Sequence, residues 1–277
     1  MYEKKICQVM KALGLSRQIL GIKFLVYKKE YADTPALDKA NNSIISMISA
    51  ASHGERIKAN AYTLKDPEDC YSIGIKKIPD EVISGRHEYS TGNYESLSIA
   101  RKVYESYHFI PQKIYGIEIS PLSEMTSSDL VIFIGSAKDM MRIMQAYTLH
   151  YGVAKNLLST GNGSLCADLI TRPFILNDIN LTLFNTNIRK SKIFDCDEMG
   201  MAVPIHMIPS ILDGILNTVN LTENNKPKKE ILQRLDFPEE LGFSIKMNYD
   251  YAIQAMEYQK HCERCLQEET IHSGDQL

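Results

Sequence analysis

The chain has no tryptophan, no basic excess, no long apolar run and no dense cysteine framework. Each absence removes a class of protein. With 31 Lys and Arg against 34 Asp and Glu, the formal net charge is -3, so a general nucleic-acid binder, which needs a basic face, is excluded. No apolar stretch approaches the roughly 18 residues of a membrane-spanning helix, so no membrane role is expected. The opening MYEKKICQVMKALGL lacks a long apolar centre and a small-residue cleavage site, and predicts an amphipathic first helix rather than a signal peptide. A cytoplasmic location follows. The six cysteines, Cys7, Cys70, Cys166, Cys196, Cys262 and Cys265, are too scattered for a disulfide scaffold. Their thiols are available as core residues, ligands or nucleophiles. No nucleophile elbow, HExxH or kinase signature is present, and the two glycines of GNGS have neither dinucleotide-binding nor P-loop spacing.

What remains is an ordinary globular composition, 44% hydrophobic and 23% charged over 277 residues, ample for a substantial core. Residues 2–14 carry Ile6, Met10 and Leu13 at helical spacing. GIKFLVY and RIKANAYTL read as strands, with a helix from Ala36 to Ser52 between them. The loop 64–85 is punctuated by Pro67, Gly74, Pro79 and Gly85 and predicts a short strand around Cys70 and a short helix after Pro79. A helix over 94–107 precedes two strands, KIYGIEISPL and DLVIFIGS. The unbroken apolar run Leu130–Ile134 is that of a central strand covered on both faces. A helix follows from about Lys138 to Tyr151, stopped by Gly152. VAKNLLS is a weak strand, and a helix starting near Ser164 should end at Pro173. LTLFN and MGMAVPI complete the strands, and a helix runs from Met207 to Val219. The fold class is α/β to α+β, a mixed central sheet flanked by helices. A body at 1–220 is followed by a polar linker and a C-terminal helical appendage at 221–277.

The best candidate site is Gly161 to Cys166. Gly161 and Gly163 permit positive φ, Asn162 tolerates it, and Ser164 opens a helix whose amides could favour a thiolate or an anion. Cys166 is then nucleophile or ligand; the same pattern also fits a tight turn followed by a buried small hydrophobe. Asp195, Cys196, Asp197 and Glu198 form an acidic run that suits either a metal or a solvated loop. His150 and Glu198 are the proton-transfer candidates. Cys262 and Cys265, beside His261, have metal-ligand spacing but no matching second pair.

Three segments carry a family resemblance: Phe133-Ile134-Gly135 before Gln145-Ala146-Tyr147, Gly163-Ser164-Leu165-Cys166-Ala167 with Arg172-Pro173, and Asp197-Glu198-Met199 with Pro204. Over about Gly21 to Val219 the chain resembles a bacterial and archaeal family catalogued as domain of unknown function 169. The family pattern has a cysteine at the start of the second helix, another in a Cys-Pro-Gly-Gly-like loop, and one matched by Cys166. This chain has Ile45 at the first position and keeps Cys70 at the second without the Pro-Gly-Gly run. Three gathered thiols would suit an iron–sulfur cluster or another thiolate-bound metal, with Cys70, Cys166 and a substitute such as Cys196 as ligands.

Three functional expectations follow. The first is a cysteine-centred redox or metal-dependent enzyme acting on a small molecule, with an anionic group held by Gly161, Asn162, Gly163 and Ser164. The second is a non-catalytic small-molecule or cofactor-binding accessory protein that has lost part of the cysteine site. The third is a structural or interaction protein that assembles through the C-terminal helix, a homo-oligomer being one form such assembly can take.

Overall fold

Seven strands form one mixed sheet among the described residues, 3–111, 113–162 and 165–218 of this computed structural model. They are β1 (Leu20–Leu25), β2 (Leu37–Asp38), β3 (Ile57–Asn60), β4 (Gly116–Pro121), β5 (Leu130–Ser136), β6 (Asn180–Thr182) and β7 (Glu198–Pro204), in the order β2-β3-β4-β1-β5-β7-β6. β2 and β3 are parallel and every other neighbouring pair is antiparallel. The helices are α1 (Glu3–Leu13), α2 (Lys28–Asp33), α3 (Ile44–Ser52), α4 (Pro67–Ser72), α5 (Asp80–Ile83), α6 (Arg86–Ser90), α7 (Leu97–Glu105), α8 (Ala137–Tyr151), α9 (Arg172–Leu176), α10 (Thr186–Ser191) and α11 (Ile208–Asn217), with a π-helical segment at Cys166–Thr171. The mixed sheet flanked by helices is as expected. The appendage at 221–277, with Cys262 and Cys265, lies outside the described residues. No helix among those described is long and apolar enough to cross a membrane.

β5 organises the layers. Side chains alternate along a strand, so Leu130, Ile132 and Ile134 enter one core while Val131 and Phe133 enter the other. Covered on both faces, the strand is apolar throughout. It pairs with β7 along its whole length, from Leu130↔Pro204 to Ser136↔Glu198. Ser136 ends the strand and caps α8 through a reciprocal box with Asp139, satisfying donors that the first turn leaves open. On the Phe133 side lie α1, α8 and α11; on the Ile132 side lie α3, Cys70, the π-helical segment and α10.

Several local expectations are corrected. Cys70 sits on α4, not on a strand: Pro67 opens the helix, with Glu68 and Asp69 in its first turn, the placements that helix starts favour. The helix expected from Ala36 starts at Ile44, where Ser43 and Ser46 make a capping box, and Leu37 and Asp38 are drawn into β2. VAKNLLS forms no strand. Its Leu158 instead gives its N–H to the Asn180 side-chain oxygen, and its carbonyl accepts from Asn180 and Arg172. Pro173 does not end its helix; it stands in the first turn of α9, directly after the π-helical segment. The proline has no N–H for the carbonyl five residues back, and that carbonyl, on Asp168, accepts from Asn180 Nδ2 at 2.8 Å.

Candidate functional site

The starts of α3 and α4 and the first residues of the π-helical segment meet beside α10 and enclose a cleft of about 540 Å³. Ser43, Ile44, Ile45, Lys65, Asp69 and Cys166 are among its walls. The Cys166 thiol donates to Asp69 Oδ1 at 3.1 Å, and Asp69 Oδ2 accepts the backbone N–H of Ile44 at 2.8 Å. One carboxylate thus joins the first turn of α3 to a thiol that lies 97 positions beyond Asp69 in sequence. Burial pushes the Asp69 carboxyl above the ordinary carboxylate range, against the lowering pull of the Ile44 amide and the Cys166 thiol, with Asp66 and Glu68 adding to the rise. A cleft of similar size, about 500 Å³, lies at Gly74–Ile78 with Ile110, Pro111 and Lys113, and its described lining is of lysines and apolar residues without thiol or carboxylate.

Among the described residues singled out by sequence, Cys166 alone supplies a functional group to the 540 Å³ cleft. Cys70 lies in the same apolar core but is fully buried, and burial pushes its thiol up despite Lys76. Cys196 is exposed in the loop before β7. Ile45, where the resemblance leads one to expect a first cysteine, lines the cleft with Cys166. Two of the three positions so expected therefore face one cavity, and Cys70 lies in the apolar core. Among the described residues, no group of three or more His, Cys, Asp or Glu is placed to hold a metal ion. Ile45 offers no donor and Cys196 stands apart, so the donor set does not fit a three-thiolate cluster.

Glu198 is occupied elsewhere. Its carboxylate takes both Arg17 Nε at 2.5 Å and Nη2 at 2.8 Å and accepts the Asp195 amide. Burial alone would raise this carboxyl, but the Arg17 and Asp195 bonds prevail and hold it below its ordinary value, which suits an ion pair better than a proton shuttle. His150 is exposed in the last turn of α8, across the sheet from Cys166. Gly161 takes the expected positive φ, +69°, and is exposed, while Asn162 lines a smaller adjoining cavity. Gly163 and Ser164 lie outside the described residues.

The partner that sequence reading missed is Asp69. Its signal was the Pro67-Glu68-Asp69 helix start, but only the fold shows which thiol it meets.

Comparisons with known proteins agree with the family resemblance. The profile of domain of unknown function 169, described as an uncharacterised ArCR, matches residues 8–214, and the chain belongs to that family. The uncharacterized protein MJ0308 of Methanocaldococcus jannaschii is 25% identical over 217 residues, covering 75% of this chain and 91% of the relative. No solved structure matches.

Proposed function

We propose that the protein is a cysteine-centred enzyme that binds a small molecule in the cleft beside Cys166 and uses Asp69 as the proton partner of the thiol. The observation that carries this reading is the 3.1 Å contact between Cys166 Sγ and Asp69 Oδ1 in the wall of a ligand-sized cavity. Thiolate and carboxylate at that distance are not both ionised at little cost, so the pair holds one proton between them. A carboxyl raised by burial is a stronger base than a surface aspartate. In the covalent step, a sulfur lone pair forms the bond to an electrophilic atom of the ligand. The S–H proton moves to Asp69, and the displaced electron pair stays on the ligand.

Alkylation of Cys166 by iodoacetamide, followed by peptide mapping from about pH 5 to pH 8, tests the pair. If the proton is shared internally, the wild-type rate has a flat region where the pair keeps one proton. Asp69→Asn restores a rise of about one log unit per pH unit. Equal slopes in the two proteins, or no alkylation of Cys166, would remove the reading. Iron bound stoichiometrically after anaerobic purification, and lost in Cys166→Ser, would replace it with a metal-dependent one.

Ile45 favours a second reading. An apolar side chain at a position the family fills with cysteine suits a binding accessory protein whose chemistry has been lost. Ligand stabilisation without turnover, unchanged by Cys166→Ser, would support it.

A further inference from the structure

Beside the cleft lies a second cavity of about 210 Å³, and the two share Glu68, Asn185 and Asn187 as a common wall. Its far side is aromatic. Tyr71, Tyr107 and Phe109 line it, with the Phe109 ring centroid 5.8 Å from that of Tyr71 and 5.6 Å from that of Tyr107. Glu88 closes the cavity and accepts Tyr107 OH at 3.4 Å, while Glu68 pairs with His87 at 2.8 Å. Ser72 also lines it: the residue is 2% exposed, and its hydroxyl makes no hydrogen bond among the described residues.

We infer that this cavity takes the ammonium group of a cationic small molecule whose reactive end lies beside Cys166. The inference rests on the cleft reading above and narrows its substrate class. Carboxylates set against aromatic faces are the surroundings that a positive charge prefers, because ring quadrupoles and anions attract it together. The volume accommodates an ammonium head and leaves the rest of the molecule to the larger cleft. The acids of the two cavities, Asp66, Glu68, Asp69 and Glu88, face Lys65 and His87 as their basic lining residues. An incoming cation relieves the mutual repulsion of these acids. An anion would add to it. Burial, followed by the pull of His87 downwards and the push of Glu68 upwards, leaves the Glu88 carboxyl above its ordinary value. The unpartnered Ser72 hydroxyl offers the ligand a hydrogen bond.

The test titrates the full chain with propylammonium and choline, each against its neutral isostere, 1-propanol and 3,3-dimethylbutan-1-ol, at matched ionic strength, reading thermal stability. At least one cation should stabilise saturably and neither alcohol should. Glu88→Gln should weaken the effect at least about tenfold, and Cys166→Ser should leave it unchanged. If Glu88→Gln does not fold, Glu68→Gln serves in its place. Cations that do no better than the alcohols, or a response indifferent to the glutamate substitution, would overturn the inference. Cation binding together with an inert Cys166 would instead sink the cysteine chemistry and leave the ammonium site standing.

Discussion

The two faces of the sheet are built on different principles. On the Phe133 side, α1, α8 and α11 bring apolar stripes together: Ile6 and Val9, Met140 and Ile143, Ile208, Ile211 and Ile215. These are the longer helices, and α8 and α11 approach so closely that a Cβ at Gly214 would lie 2.7 Å from that of Ala146. On the Ile132 side the elements are short, and charge is drawn into the packing. Arg172, fully buried, donates to Asp168, to the Ser106 carbonyl and to Leu158, while Asp168 also accepts Thr182 Oγ1 at 2.8 Å. Arg17 donates to Glu198, Ser52 and the Ile193 carbonyl and lies over the Phe194 ring. Apolar stripes suit a scaffold; hydrogen-bonded charges fix irregular segments in one arrangement. The cleft lies on the face that needs such fixing.

The largest effects should come from removing one member from each face. Phe133→Ala leaves a dry cavity and should cost about 3–5 kcal/mol, and Arg172→Ala a similar amount, about 3–5 kcal/mol, because it strands a buried carboxylate. Denaturant unfolding measures both. The faces separate in the rescue: replacing Asp168 and Arg172 together by Leu and Met should recover most of the loss. A double variant no better than the single one would mean the network does more than satisfy its own charges.

Gly214→Ala tests the scaffold's close approach. Its Cβ would also lie 2.8 Å from the Ala146 Cα, so the helices must part, at about 1–3 kcal/mol. Stability unchanged in thermal unfolding would show that face to be looser than its packing.

A smaller effect separates the faces by pH. The Glu198 carboxyl is held below its ordinary value by Arg17 and the Asp195 amide, so the stability it contributes is full above the ordinary carboxylate range and is lost as pH falls through the lowered value. The gap in unfolding midpoint between wild type and Glu198→Gln should therefore narrow from about pH 7 to about pH 3. Phe133→Leu, among the apolar stripes of the other face, should show a gap that does not move with pH. A Glu198→Gln gap that stayed constant would separate Arg17 pairing from stability.

The scaffold face was the more legible in sequence, and for a physical reason. α1, β5 and α8 follow from periodicity, and Ser136 and Gly152 mark the ends of α8 through local chemistry. On the other face, order comes from side chains reaching backbone far away. Asn180 holds Leu158, so VAKNLLS looks like a strand yet is pinned by one amide. Pro173 is tolerated because Asn180 takes the carbonyl the proline cannot serve. Cys166 stood out in the sequence as a candidate; Asp69, the carboxylate it contacts, did not, because no local pattern specifies a contact spanning 97 positions.

The strand order has a further consequence. A run as apolar as Leu130–Ile134 is a hazard wherever it can pair with another molecule. Here it is interior, between β1 and β7, and among the described residues the sheet's outer positions go to β2, two residues long, and β6, three. An intruding strand would find almost no ladder to extend. Placing the shortest strands outermost keeps the stickiest segment from becoming a template for aggregation.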